Sequence, residues 1–272
     1  MRVPTRVVGR EASAQRRNVP DVAHSSPHSD IIEEAQRLTI AVQREGIALK
    51  LTGGLGIYFH APSAREASLR REYRDLDFVS RSPQRAAVQA FLERGGYEPD
   101  TPFNTLQGLR RLRYWDRDHH RQVDIFLDQI RMCHTIDLRG RLHLPGGVLT
   151  PADLLLTKMQ IVELNRKDLT DVVALLLDHP VGEEDGEVIN AAYIAGVLAR
   201  DWGFYRTLQL NIDRLRAALL QFPVPTEAIG ARLDALWRVI EMQPKSRGWR
   251  LRARIGDRMR WYDLPEEGGP AG

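Results

Sequence analysis

Cysteine is almost missing from this chain: Cys133 is the only one in 272 residues. A single thiol excludes an internal disulfide framework and fits a reducing compartment, so a cytoplasmic location is expected. No paired His and acid accompany Cys133, which therefore reads as a small buried hydrophobe and not as a nucleophile. No apolar run approaches the ~20 residues needed to cross a bilayer, so no membrane partner is expected. The N-terminus carries arginines without an apolar core, which argues against a secretory signal. No Gly-x-x-x-x-Gly-Lys-Ser/Thr occurs, nor does the motif set of a protein kinase, and no repeat is visible. Excess charge is also scarce, at net +3. It is unevenly placed, because Pro244–Trp261 holds seven basic residues and one acid, leaving the rest net negative. A nucleic-acid footprint would lie at that end. With 43% hydrophobic and 28% charged residues the composition is that of an ordinary globular chain, long enough for one large or two ordinary domains.

Three stretches carry chemistry: Lys50-Leu-Thr-Gly-Gly-Leu-Gly56, Arg74-Asp-Leu-Asp-Phe-Val79 and Gln122-Val-Asp-Ile-Phe126. On a strand, residues two apart face the same way, so Asp75 and Asp77 project together while Leu76 and Phe78 pack behind. Asp124 repeats the pattern between Val123 and Ile125. Like charges on neighbouring strands repel, so stability does not account for them. Divalent cations do: hard ions held by carboxylate oxygens can clamp the attacking and leaving oxygens of an in-line phosphoryl displacement. Gly53-Gly54 follows the short strand Ala48–Leu51 and can open a helix whose free N–H groups meet phosphate.

This set resembles the nucleotidyltransferase superfamily of DNA polymerase β type. Its pattern is an apolar strand, Gly-Gly or Gly-Ser, a helix, Asp-x-Asp, and a later strand-borne acid. The matching pieces are Gly53-Gly54, Asp75-Leu-Asp77 and Asp124. Gly54 departs from the Ser often found at the second position and lacks a hydroxyl for phosphate. The resemblance implies an α+β fold, a mixed sheet flanked by helices and followed by a C-terminal helical bundle. It implies two Mg²⁺ ions, with Mn²⁺ as a substitute. Asp75 and Asp77 would hold both, and Asp124 the one that activates the acceptor. Thr52 and Gly53 would offer backbone N–H groups to the triphosphate of an NTP.

In chain order, residues 1 to about 28 read as a disordered basic tail. Ser29 is placed as the cap of an amphipathic helix ending at Gly46. Residues 61–73 read as a basic loop, and Arg71 within it and Arg74 just after it are candidates for neutralising phosphate beside the carboxylates. An Arg shortly before Asp-x-Asp is also common in the toxin-type branch of the superfamily. Ser82-Pro83 is expected to cap the next helix, and a polar loop is expected from Tyr97 to Gly108. Leu112–Trp115 and Gln122–Leu127 form a hairpin, with His119 and His120 exposed at its tip. Residues 131–137 suggest another strand, and Leu142–Leu149 a strand and turn. A catalytic domain over 29–150 then gives way to a helical domain over 151–272.

Thr150, Pro151 and Asp153 mark a capped helix over Ala152–Leu164, with Leu155, Met159 and Val162 as core and Lys158 within it. A second helix follows from about Lys167 to Leu177, bearing Asp168 and Asp171 on one face. This segment resembles the one after the catalytic strands of AbiEii-type toxin nucleotidyltransferases. The resemblance implies that Lys158 meets nucleotide phosphate, and that Asp168 or Asp171 orients it or moves a proton. Further helices are expected over 190–199, over 201–219 with a break at Gly203, and from a Thr226 cap to Met242. The basic end interleaves Arg250, Arg252 and Arg254 with Leu251, Ala253 and Ile255, beside Trp249, Trp261 and Tyr262. It suits RNA phosphates and unpaired bases, or a structural segment packing Trp249 and Leu251 on the body.

The implied activity is transfer of a nucleoside monophosphate from NTP to a hydroxyl. The acceptor is RNA, a tRNA end in a toxin-like role with an antitoxin partner, or a small molecule of antibiotic type, or a protein. A cationic drug would need an acidic pocket, for which the loop Glu183, Glu184, Asp185 and Glu187 is the candidate. A non-catalytic nucleotide- or RNA-binding module is the alternative of another class.

Overall fold

The computed structural model describes residues 26–264, so the tail expected over 1–28 falls almost wholly outside the described residues. Helix α1 (Ile31–Arg44) is capped by Asp30 in place of Ser29, its carboxylate accepting from the Ile32 and Glu33 N–H groups. Five strands form one mixed sheet: β1 (Leu49–Leu51), β2 (Leu76–Ser80), β3 (Glu98–Pro99), β4 (Arg111–Asp116) and β5 (Arg121–Leu127). Their order is β1-β2-β5-β4-β3, with β2 and β5 parallel at the centre and the other pairs antiparallel.

Helix α2 (Gly53–His60) follows β1, α3 (Arg85–Arg94) follows β2, and α4 (Thr101–Gln107) separates β3 from β4. The stretch 97–108 is therefore not a loop. Asp100 caps α4 by accepting from the Phe103 N–H, and Pro102 sits in the first turn, where no N–H is needed. Ser82 does not cap α3; it opens a 3₁₀ turn, Ser82–Gln84, that precedes it.

Strand alternation divides the apolar residues between two cores. Leu76, Phe78, Val123 and Ile125 pack with α1 and α3 on one face, while Val79 and Phe126 join the core of the later helices on the other. Asp77 and Asp124 share the second face.

A small hairpin of β6 (Gln129–Arg131) and β7 (Thr135–Asp137) follows, with Cys133 buried in its turn. Residues 142–149 form no strand beyond a single bridge from Val148 to Leu51. Lys50 Nζ satisfies the carbonyls of Leu144, Pro145 and Gly146 instead, at 2.7, 3.3 and 2.7 Å. Thr150 caps α5 (Pro151–Met159) as expected, but the helix stops five residues short of Leu164 and Val162 is not core. Buried Asn211 takes the Met159 and Ile161 carbonyls at 3.0 and 2.7 Å, satisfying the chain as it leaves the helix. After α6 (Arg166–Asp178), strands β8 (Val181–Gly182) and β9 (Ile189–Asn190) pair in parallel.

Helices α7 (Ala191–Leu198), α8 (Trp202–Ala218) and α9 (Thr226–Met242) pack onto α5 and α6. Gly203 lies in the first turn of α8 and does not break it, and Pro225, not Thr226, holds the cap position of α9. The basic end is α10 (Arg247–Ile255), docked on α8 by Trp249, whose ring centroid lies 5.2 Å from that of Tyr205. Leu251 does not pack on the body; it is 62% exposed.

Candidate active site

The sheet supplies one wall of a cleft of 260 Å³ lined by Thr52, Gly53, Asp77, Phe126, Lys158 and Asp168, among others. Asp77 stands on β2 directly opposite Asp124 on β5. Asp75 precedes the strand and is exposed, next to exposed Arg74. Gly53 starts α2 at φ +64, and a Cβ there would lie 2.3 Å from the Asp77 carboxylate. Only glycine permits this approach of backbone to carboxylate. Thr52 fixes the junction by donating its N–H to the Asp77 carbonyl at 2.8 Å, while its buried hydroxyl has no partner among the described residues.

The carboxylates differ in what compensates them. Asp77 is partly buried, and among the described residues neither hydrogen bond nor ion pair reaches its side chain. Burial, then Asp124 and Asp75, pushes its pKa up to about 6. Burial and Asp124 raise Asp75 as well, against the nearby Arg74. Asp124 is buried in a fork: Arg111 donates to both its oxygens at 3.0 and 2.7 Å, Arg113 adds a bond at 3.3 Å, and Gln122 donates to the same carboxylate. The three acids accordingly do not converge into one ligand set. Among the described residues, the only three acid, His or Cys side chains with ligand atoms within 4.8 Å of one another are His60, His179 and Glu187.

The helical wall carries a chain of charges. Lys158 on α5 reaches Asp168 at 3.0 Å and Asp171 at 2.9 Å on α6. Both acids left open by sequence thus touch the lysine. Asp168 also closes a capping box with Asn165, and buried Asp171 is held at 2.7 and 2.8 Å by both arms of Arg71. Burial alone would lower the Lys158 pKa, but Asp171 and Asp168 outweigh it and raise it. Arg71 stacks 4.2 Å over Tyr73 and passes where a side chain on Gly54 would be, 1.8 Å from an ideal Cβ. Glycine at 54 therefore makes room for the guanidinium.

Sequence reasoning missed Arg111 and Arg113, and with them the neighbouring groove lined by Phe103, Arg110, Arg111, Phe126, Arg131 and Met132. Phe126 and Met132 line both the groove and the cleft. The hairpin held the signal, since pairing Asp116 with Arg121 sets Arg113 opposite Asp124. His119 is bonded to Asp116 at the hairpin tip. The acidic loop lines neither space, and Asp185 within it is paired to Arg141 at 2.7 Å.

The sequence matches no protein-family model and no curated protein sequence. Among solved structures, the chain is similar to the lincosamide antibiotic adenylyltransferase LnuA bound to lincomycin. The identity is 16% and the TM-score 0.38, covering 53% of this chain and 94% of that one. It is also similar to the antibiotic-resistance factor ANT(2'')-Ia, at 14% identity and TM-score 0.37, covering 61% and 92% respectively. At these scores the likeness does not reach chemistry, which rests on this chain's own residues.

Proposed function

We propose that this chain is a metal-dependent nucleotidyltransferase that moves a nucleoside monophosphate from an NTP to an acceptor hydroxyl. The observation that carries the reading is Asp77, unpaired among the described residues, set against the glycine at the head of α2 and facing Lys158 across the cleft, with Asp75 two residues before it. Asp77, whose pKa is raised by burial and by Asp124 and Asp75, fits a divalent cation, and the unpartnered Thr52 hydroxyl fits a phosphate oxygen. Mg²⁺ held by Asp75 and Asp77 would supply the charge that phosphoryl transfer needs. The residues themselves bind and orient. The Thr52 N–H is held by the Asp77 carbonyl, so the Thr52 hydroxyl and the Gly53 N–H receive phosphate at a helix start, Lys158 neutralises it, and Asp168 and Asp171 aim the ammonium. The acceptor oxygen attacks the α-phosphorus, the bond to the β-phosphate oxygen breaks, and pyrophosphate leaves. Asp124 is the group placed to take the acceptor proton once its arginines yield it.

The groove next to Asp124 supports an anionic acceptor such as an RNA end. It offers Arg110, Arg111 and Arg131 against one acid, Asp263, and the Phe103 ring for a base. The acidic loop that a cationic drug would need lies elsewhere. Transfer of label from α-labelled NTPs onto total RNA and total protein, with Asp77→Asn as control, tests the reading. Asp77-dependent label on RNA supports both activity and acceptor. Label on protein replaces the acceptor, and the absence of label on RNA, protein and added antibiotics refutes the activity.

A further inference from the structure

The carboxyl-terminal ends of α2 and α6 meet, at the opposite ends of both helices from the cleft-lining Gly53 and Asp168. His60 ends α2, His179 caps the C-terminus of α6, and Glu187 comes from the loop before β9. One ring nitrogen of each histidine and a Glu187 carboxylate oxygen lie within 4.8 Å of one another. Glu187 Oε2 is 3.2 Å from His60 Nδ1. Ligands about 2.1 Å from a tetrahedral ion stand roughly 3.4 Å apart, close to this distance.

The histidines are prepared for a ligand in two further ways. His60 Nε2 donates to the Leu149 carbonyl at 2.8 Å, which leaves Nδ1 with its lone pair toward Glu187. Metal-binding histidines are oriented by this kind of second hydrogen bond. His179 is 4% exposed; its Nδ1 donates to the Glu187 carbonyl at 3.0 Å, which leaves Nε2 as the nitrogen with a lone pair, buried with no partner among the described residues. A buried imidazole nitrogen without a partner is costly and wants a proton donor or a cation. The Glu187 side chain is 75% exposed, which gives an ion a way in and leaves a coordination position to water.

We propose that His60, His179 and Glu187 bind a divalent transition-metal ion of the Zn²⁺ class. Two imidazoles and one carboxylate favour such an ion over Mg²⁺, which takes oxygen ligands. The ion ties the far ends of the two helices whose near ends carry Gly53 and Asp168, and so braces the cleft without entering it. This site stands independently of the proposed transferase activity.

The test is calorimetric titration of the untagged, chelator-treated full chain with ZnCl₂, together with the visible absorption of the Co²⁺ form. One ion per chain and a Co²⁺ spectrum of low-symmetry nitrogen–oxygen ligation are expected. Glu187→Gln and His60→Gln should each weaken Zn²⁺ by about 100-fold, the upper range for disturbing a metal site, and Asp77→Asn should leave it unchanged. Exposed Glu187 makes its variant safe for folding. Absence of Zn²⁺ binding, binding indifferent to both variants, or binding lost in Asp77→Asn would overturn the proposal in favour of a plain histidine–carboxylate ion pair.

Discussion

The two walls of the cleft handle charge in opposite ways. On the helical wall every charge has an answer, running Arg71 to Asp171 to Lys158 to Asp168. On the sheet wall Asp77 has none among the described residues, although it is partly buried and lies opposite another acid. The difference separates two kinds of polar residue. A paired charge fixes geometry, and an unpaired one in a cleft waits for something from solution.

Breaking the unpaired side should give the largest effect. Asp77→Asn is expected to lower NMP transfer by about 10³-fold, in the range of losing an electrostatic stabiliser, while the protein stays folded. The same substitution should raise Tm in metal-free buffer at pH 7. The sign follows from the raised pKa: Asp77 ionises at 3.8 when unfolded and at about 6 when folded. The fold holds the extra proton between these values, so stability falls as pH rises from about 4 to 6 and is flat above. A wild-type Tm that falls over this window, and an Asp77→Asn Tm that does not, would sharpen the contrast between the walls.

Breaking the paired side should cost less activity and more stability. Lys158→Met is expected to reduce transfer by about 10²-fold and to lower stability by about 1–3 kcal/mol, because two acids lose a partner while Asp171 keeps Arg71. Gly54→Ser should cost about 1–3 kcal/mol by overpacking against the Arg71 guanidinium. Combined with Arg71→Ala it should be markedly less than additive, which a double-mutant cycle measures. The smallest effect is expected from Arg250→Gln/Arg254→Gln on α10, a shallower salt dependence of RNA binding with unchanged Tm.

Much of this was legible in the residues. Asp77, Asp124, Gly53 and Lys158 lie where strand alternation, a helix start and the Thr150 cap put them, because these are local signals, whereas Asp75 precedes β2 instead of lying on it. The acid for Lys158 stayed open between Asp168 and Asp171 because both face α5 from one helical face. What could not be read depends on distant partners. Arg111 reaches Asp124 only through hairpin register, and Arg71 meets Asp171 from 100 residues away. His60, His179 and Glu187 come together only when α2 and α6 are laid side by side. The α5 boundary was missed for a like reason, since the Asn211 side chain on α8 donates to the carbonyls where it ends.

The arginine fork on Asp124 has a consequence for timing. On the proposed chemistry, a bound nucleotide sits beside a carboxylate able to take a proton from any nearby hydroxyl, water included. While Arg111 and Arg113 grip both its oxygens, that carboxylate is capped and water goes unactivated. On the same proposal, an anionic acceptor entering the groove would compete for Arg111 and loosen the grip on the base as it arrives, with Arg113 and Gln122 left to hold it. On that proposal the fork would work as a safety catch, sparing the nucleotide from hydrolysis until there is something to attach it to.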